Sequence, residues 1–236
     1  MSVGQLLARS FELYRRNLGL VLTLALPVVV IVIGVTALGL GELDAGYRTS
    51  LPARDLYIEA AASELVTAPL ITSMLARWVL VQTRGERQSA TDLVAGALEA
   101  FPAVLLVVIV WLAVSAGGFL LLIFPGIYTF VSWYFVVQAV VIDGDRGLVP
   151  IARSSALVRG NWWRTAGAGL AFFLPSAVAT ALIGAAFAPL ADAANSDAVL
   201  VVGEIIADAV TLPFLAIGAT LYYLQLRDEA TLRARY

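Results

Sequence analysis

The chain contains no cysteine, no histidine and no lysine among its 236 residues. Without cysteine there can be no disulfide, no thiolate metal site and no cysteine nucleophile. Without histidine the commonest general base and metal ligand is missing, and no serine has the partner that a hydrolase triad needs. No glycine is followed by the Lys-Ser/Thr pair of a phosphate-binding loop. These absences predict a protein that is not an enzyme and that holds no metal and no cofactor.

Charge is also scarce, since charged residues make up 14% of the chain and hydrophobic residues 61%. In a soluble domain roughly a quarter of the residues are charged. Several windows of about 20 residues carry few or no charges, which is typical of membrane-spanning helices. Nothing interleaves arginine with aromatic residues as a nucleic-acid-binding surface would. We therefore expect an all-α, polytopic membrane protein that forms a single membrane domain over residues 1–236 and does not bind nucleic acid.

Apolar runs and amphipathic segments alternate along the chain. The six predicted spans are residues 18–40, 65–83, 102–116, 126–142, 165–190 and 199–226. Segments 5–17, 89–101 and 148–161 place charges between apolar residues at helical spacing, so they are predicted to be amphipathic helices at the membrane surface. Ser89 or Thr91 suits the N-cap of the second segment. Pro27 predicts a kink in the first span, and Pro125-Gly126 is predicted to break the long apolar run that precedes the fourth.

Arginine is distributed unevenly between the two ends of the predicted bundle. Six spans place both termini on one side, and thirteen of the fifteen arginines fall on that side or near it. Arg48 and Arg54, which lie within the polar loop 41–55, fall on the other side. Cytoplasmic loops of membrane proteins carry the excess of basic residues. We therefore expect cytoplasmic N- and C-termini in a multi-pass protein of the cell (inner or plasma) membrane.

Two blocks of sequence recur at a fixed offset of 144 residues. Ala8-Arg9-Ser10 matches Ala152-Arg153-Ser154, and the stretch 64–70 matches 208–214. A middle unit is a weaker copy, with an amphipathic start followed by a span that opens at a proline. Alternatively, this order is no repeat, because any six-span protein with surface helices shows it. We expect parallel units of about 1–88, 89–145 and 146–236, each an amphipathic helix plus a helical hairpin.

Four carboxylates lie within or beside the predicted spans, namely Glu59, Glu64, Glu204 and Asp208. Carboxylates inside a membrane are costly and usually face an interior cavity. Glu204 and Asp208 share a helix face, while Glu64 and Asp208 are matched by the repeat. They are candidates for a cation or proton site that opens outward. Alternatively, Glu64 and Asp208 lie at the outer interface in the first turn of a helix, where the helix dipole favours a negative charge.

A second set of candidates consists of arginines and tryptophans that the amphipathic segments bring to the cytoplasmic interface. These are Arg9, Arg15, Arg16, Arg153, Arg159, Arg164, Trp162 and Trp163. Each arginine near an anionic membrane surface contributes about 1 kcal/mol of attraction. These residues are therefore candidates for binding lipid headgroups, and simple anchoring of the helices is the alternative role.

Two further charged features allow more than one interpretation. Arg77 lies inside the second span near its cytoplasmic end, where it either reaches the headgroups or pairs with a buried acid such as Asp143. Asp143 and Asp145 belong to an Asp-Gly-Asp-Arg loop that could ligate a cation, although two acids in a loop are a weak signal.

Residues 122–164 carry a distinctive order of motifs. They run Leu-Ile-Phe-Pro-Gly-Ile-Tyr (122–128), Trp133, Val-Ile-Asp-Gly (141–144) and Arg-Ser-Ser-x-Leu-Val-Arg-Gly-Asn-Trp-Trp-Arg (153–164). Together with residues 10–17 and 221–227, this order resembles the six-helix membrane domain of some bacterial and archaeal glycerophosphoryl diester phosphodiesterases, which also occurs as stand-alone membrane proteins. The resemblance implies that fold and a membrane setting. It does not imply the hydrolase activity, because this sequence has no histidine or metal-ligand constellation.

Three kinds of function remain, in decreasing order of fit. The first is a non-enzymatic integral membrane module, either a lipid-interacting scaffold or a permease-like subunit that works with a partner membrane protein or an ATPase. Membrane lipids are its expected partners. The second is a small transporter or channel that uses the intramembrane acids to move a cation or proton. The third is an enzyme that acts on lipids, and it fits least because histidine and cysteine are missing.

Overall fold

The computed structural model describes residues 2–40 and 53–233, with side chains described for residues 2–40 and 58–233. Within these ranges the secondary structure is helical and includes no strand. The helices are α1 (Val3–Arg16), α2 (Leu18–Leu40), α3 (Ala53–Ala62), a π-helical turn (Ser63–Thr67), α4 (Ala68–Thr83), α5 (Ala90–Leu121), α6 (Ile123–Ser132), α7 (Val136–Asp143), α8 (Val149–Val158), α9 (Trp162–Ala194) and α10 (Ala198–Arg233). Arg48 and most of the predicted polar loop lie outside the described residues, as does the side chain of Arg54.

Six helical segments are long and apolar enough to cross a membrane, which confirms the predicted fold class at this level. They are Leu18–Leu40, Ile58–Thr83, Ala90–Leu121, Ile123–Asp143, Trp162–Ala194 and Ala198–Arg233. On α2, the side chains of Ile31, Val35 and Leu38 are 63%, 65% and 70% exposed, and their spacing places them on one face. An apolar stripe of this kind suits contact with hydrocarbon rather than water.

The third span is longer than the sequence predicts. We expect an amphipathic segment 89–101 followed by a separate span 102–116, but α5 is one helix from Ala90 to Leu121. Ser89 is its N-cap, as predicted, and its hydroxyl accepts the N–H of Asp92. Pro102 lies inside the helix. Proline is tolerated in spanning helices because neighbouring groups and local adjustments satisfy the freed backbone, so it does not mark a boundary here.

The hairpin between the third and fourth spans turns at Leu122 rather than at Pro125-Gly126. Leu122 is extended, with φ −160° and ψ 139°, and α6 begins at the next residue. Pro125 therefore lies in the first turn of α6, where its missing N–H costs the helix nothing. Gly118 of α5 and Gly126 of α6 let the two backbones approach closely, since a Cβ at Gly118 would lie 2.8 Å from the Gly126 nitrogen.

The fourth span is broken between α6 and α7 at residues 133–135. A buried serine of α8 bonds both sides of this break. Ser154 Oγ accepts the N–H of Phe135 at 3.1 Å and donates to the carbonyl of Ser132 at 2.9 Å. Because an unpaired backbone group in the interior is costly, Ser154 both stabilises the break and fixes α8 against it.

Helix α10 lies at the centre of the fold, where it packs against α9, α4, α2 and α1. Its inner half carries Ile217 and Tyr223, both fully buried. Tyr223 contacts Phe135 of the broken fourth span, with ring centroids 5.6 Å apart. Gly218 makes room for Phe172 of α9 at the same level. The last span therefore holds the first and the middle helices together.

Candidate functional site

The second span contains one wide helical turn. In the π-helical turn Ser63–Thr67, the N–H of Ala68 donates to the carbonyl of Ser63, five residues back. Pro69 follows in the first turn of α4. Its missing N–H and its ring disfavour a regular turn before it, and a π-helical turn is one way for a helix to accommodate this. The wide turn packs against α2 and α5.

A small cavity lies beside this turn. Its volume is about 20 Å³, enough for one water-sized occupant. Residues of α2, α3, the π-helical turn and α10 line it, namely Val32, Ile33, Thr36, Glu59, Ala62, Ser63, Thr67 and Glu204. The structure therefore brings together Glu59 and Glu204, two of the four acids that the sequence singles out.

The other two predicted acids lie near the cavity but do not line it. Glu64 belongs to the π-helical turn and is exposed, whereas Asp208 is half-buried on α10. Asp208 is within electrostatic range of both Glu204 and Glu64. All four acids thus belong to the same end of the bundle, with two of them on the cavity wall.

Thr67 is a cavity residue that sequence reasoning missed. It is fully buried, and its hydroxyl has no hydrogen-bond partner among the described residues. A buried hydroxyl without a partner costs about 1–3 kcal/mol. A buried threonine that follows an acidic residue in an apolar segment was the only signal in the sequence, and it does not reveal the wide turn that changes its bonding.

At the arginine-rich end, Asp143 joins three elements. Its carboxylate accepts a hydrogen bond from Tyr223 of α10 and from Arg227 Nη1 at 3.0 Å, and it lies 3.5 Å from Nε of Arg153 on α8. Asp145 accepts two hydrogen bonds from Arg153, which raise the pKa of that guanidinium above its ordinary value and keep it charged. Asp143 and Asp145, the two candidate cation ligands of this loop, are therefore both paired with arginine.

Two other predicted arginines are also held inside this end. Arg164 lies 3.2 Å from Glu229 Oε2, and its guanidinium is 5.9 Å from the ring centroid of Tyr222. Arg77 donates to the carbonyl of Gly96 at 2.9 Å. The acid proposed as an alternative partner for Arg77, Asp143, bonds to the arginines of α8 and α10 instead.

A groove opens between the end of α8 and the last turns of α10. Its volume is about 340 Å³, within the range of small-ligand sites. The groove is lined by Ala156, Leu157, Arg159, Asn161, Leu226, Glu229, Ala230 and Arg233. Arg159 is exposed and makes no ion pair with a described residue, while Arg233 lies 3.9 Å from Glu229. Two arginines and an amide thus face a groove with an apolar floor.

The remaining predicted headgroup residues lie on α1 and at the start of α9. On α1, Arg9, Arg15 and Arg16 are exposed, and Arg16 pairs with Glu12 at 2.6 Å. Trp162 stacks on Tyr128 with ring centroids 6.2 Å apart, whereas Trp163 is 83% exposed.

The described residues contain no group of three or more acidic, histidine or cysteine side chains that could hold a metal ion. No family model, no curated protein and no solved structure matches the chain. The resemblance to a phosphodiesterase membrane domain therefore stays a prediction from the motifs.

Proposed function

We propose that this protein is a non-enzymatic integral membrane module that binds anionic lipid headgroups at its arginine-rich end, as a scaffold or as a permease-like subunit. The groove between α8 and α10 supports this most directly. It combines the cations Arg159 and Arg233 with the amide of Asn161 above the buried Leu226. Arginine suits phosphate oxygens because its planar donors match their geometry. The exposed Trp163 nearby suits the membrane interface.

The distribution of charge supports one orientation in the membrane. Thirteen arginines belong to the end that carries the termini. Nine acidic residues belong by chain order to the other end, namely Glu42, Asp44, Asp55, Glu59, Glu64, Asp192, Asp197, Glu204 and Asp208. With the arginine-rich end in the cytoplasm, the groove meets the leaflet that is richer in anionic lipid. The module then belongs to the cell membrane, with both termini inside.

A parallel repeat explains how the two arginine-bearing surface helices come to the same end. Helix α2 begins at Leu18 and α9 begins at Trp162, 144 residues later. The N–H of Val21 donates to the carbonyl of Asn17 at 3.0 Å, and the N–H of Thr165 donates to that of Asn161 at 2.8 Å, at the same offset. These equivalences support a common origin for the first and third units.

The lipid function is tested by comparing two double variants that remove the same charge. Purified protein in neutral detergent is titrated with phosphatidylglycerol and with phosphatidylcholine, and binding is followed by native mass spectrometry. We expect Arg159→Ala with Arg233→Ala to lose about 2 kcal/mol of phosphatidylglycerol affinity, roughly thirtyfold. The control, Arg84→Ala with Arg87→Ala, removes two exposed arginines from the turn after α4 and should change the affinity little.

Equal loss in both double variants would mean that arginines attract lipid without a site, and no preference for phosphatidylglycerol in the unaltered protein would remove the lipid function. Co-purification of an ATPase from native membranes favours the permease-like role, whereas lipid alone favours the scaffold.

The acidic cavity favours a second candidate function, a small transporter or channel for a cation or proton. Glu59 and Glu204 both line this cavity, and both belong to helical segments long and apolar enough to cross a membrane. Intramembrane acids of this kind mark ion pathways in many transporters. Flux into proteoliposomes that disappears in Glu59→Gln and Glu204→Gln variants supports this function, and flux equal to that of protein-free liposomes excludes it.

A further inference from the structure

The hydroxyls of Thr67 and of Thr165, at the start of α9, have no hydrogen-bond partner among the described residues, and in this they differ from four other buried hydroxyls of the spanning helices. Those of Ser73, Ser176, Thr211 and Thr220 each donate to the carbonyl four residues earlier, at 2.7–3.0 Å. The carbonyl that Thr67 would use in the same way belongs to Ser63, and it accepts the N–H of Ala68 in the π-helical turn. The wide turn thus leaves a buried hydroxyl without its usual bond.

Proline does not by itself produce this arrangement. Thr211 and Pro213 of α10 match Thr67 and Pro69 at the offset of 144 residues, and Pro213 is also buried inside its helix. There the helix stays regular, and Thr211 bonds to the carbonyl of Ala207 at 2.8 Å. The π-helical turn is therefore a local feature of the second span, and π-helical turns are frequent at functional sites.

Oxygen atoms dominate the polar wall of the cavity beside Thr67. Besides that hydroxyl, Thr36, Ser63 and the carboxylates of Glu59 and Glu204 line it. Oxygen donors of this kind suit hard cations. Both carboxylates also interact with neighbouring groups, and the buried Thr67 hydroxyl has no hydrogen-bond partner among the described residues.

We propose that this cavity binds one dehydrated monovalent cation, of the size and hardness of sodium, with Thr67 Oγ1, Glu59 and Glu204 as its ligands. The volume of about 20 Å³ leaves no room for the waters that a magnesium ion keeps. The three proposed ligands fall well short of the roughly six to eight oxygens that a calcium ion takes. Asp208 and Glu64 lie close by and add negative potential.

Sodium binding is tested on the full chain in neutral detergent. Thermal unfolding is followed by tryptophan fluorescence in sodium chloride and in choline chloride of equal ionic strength, and binding of radioactive sodium is measured directly. We expect a saturable rise in the melting temperature that depends on sodium. Thr67→Val should bind sodium at least about tenfold more weakly, as expected when a ligand is lost, and Thr67→Ser should retain binding.

The matched control is Thr211→Val, which removes the equivalent hydroxyl from α10 and should leave sodium binding unchanged. Sodium affinity in Thr67→Val equal to that in the unaltered protein would overturn the site, as would the same melting temperature in sodium and choline. If Thr67→Val does not fold, Glu204→Gln and the direct binding of sodium to the unaltered protein decide the question. This site does not depend on the lipid groove, so the Arg159→Ala, Arg233→Ala variant should still bind sodium.

Discussion

Two polar groups near opposite ends of the bundle differ in how they are satisfied, namely the Asp143 carboxylate and the Thr67 hydroxyl. At the arginine-rich end, Asp143 is fixed by Tyr223 and Arg227 on a neighbouring helix. At the acidic end, the hydroxyl of Thr67 is fully buried beside a cavity and has no partner among the described residues. Satisfied networks hold helices in place, whereas an unsatisfied group calls for an explanation such as a bound ion. The comparison separates a carboxylate that fixes the fold from a hydroxyl that remains available to a ligand.

The largest effect is expected from breaking the satisfied network. Asp143→Ala should lower the free energy of unfolding by about 3 kcal/mol, because it leaves Arg227 and the Tyr223 hydroxyl without their acceptor. Asp228→Ala is the control. Asp228 is an exposed acid on α10, the helix that carries Tyr223 and Arg227, and its replacement should change stability by less than about 0.5 kcal/mol. Chemical denaturation in detergent measures both. Equal stability of the two variants would show that the network does not hold the helices together.

A second variant tests whether Arg77 also belongs to the fixed end. A Cβ at Gly96 would collide with the Arg77 guanidinium, so Gly96→Ala should displace it from the Gly96 carbonyl and cost about 1.5 kcal/mol. The control is Gly117→Ala in the same helix, where a Cβ meets no atom within 4 Å. Thermal unfolding of both proteins gives the difference, and an unaffected Gly96→Ala protein would mean that Arg77 is free to reach the headgroups.

The threonine pair sharpens the comparison, because a satisfied and an unsatisfied hydroxyl at the same end should respond with opposite signs. In sodium-free buffer, Thr67→Val should raise the free energy of unfolding by about 1 kcal/mol, since it removes a buried hydroxyl that lacks a partner. Thr211→Val should lower it by about 0.5–1 kcal/mol, since it removes a hydrogen bond. Chemical denaturation compares the two variants. Destabilisation of both by the same amount would show that the Thr67 hydroxyl is already satisfied.

The smallest effect on stability is expected in the groove. Replacing Arg159 and Arg233 by alanine should change the free energy of unfolding by about 0.5 kcal/mol or less, because both side chains are exposed. A loss of several kcal/mol in the same denaturation experiment would assign the two arginines to the structural network rather than to lipid.

Much of the fold follows from the periodicity of apolar residues. The predicted first span 18–40 coincides with α2, and the N-cap at Ser89 is observed. These features are local, since they depend on run length and capping chemistry. The sequence predicts the break of the long apolar run three residues too late, because a proline fits the first turn of a helix as well as it ends one.

The candidate sites were harder to predict, since they depend on contacts between distant segments. The sequence singled out Glu59 and Glu204, but it gave no sign that they share a cavity with Thr67. Arg153 and Arg164 are predicted headgroup residues, and each also pairs with an acid of the protein. Charge alone does not separate these paired arginines from Arg159, which makes no ion pair with a described residue.

The proposed opposite sidedness of the two ends is tested most directly by labelling single cysteines in intact cells, which is straightforward because the chain has no cysteine of its own. Ser196→Cys lies between α9 and α10 at the acidic end, and Ser2→Cys lies at the arginine-rich end. A membrane-impermeant maleimide should label Ser196→Cys from outside and should label Ser2→Cys only after the cells are permeabilised. Labelling of Ser2→Cys in intact cells, with Ser196→Cys protected, would contradict the proposed orientation and place the groove on the wrong leaflet.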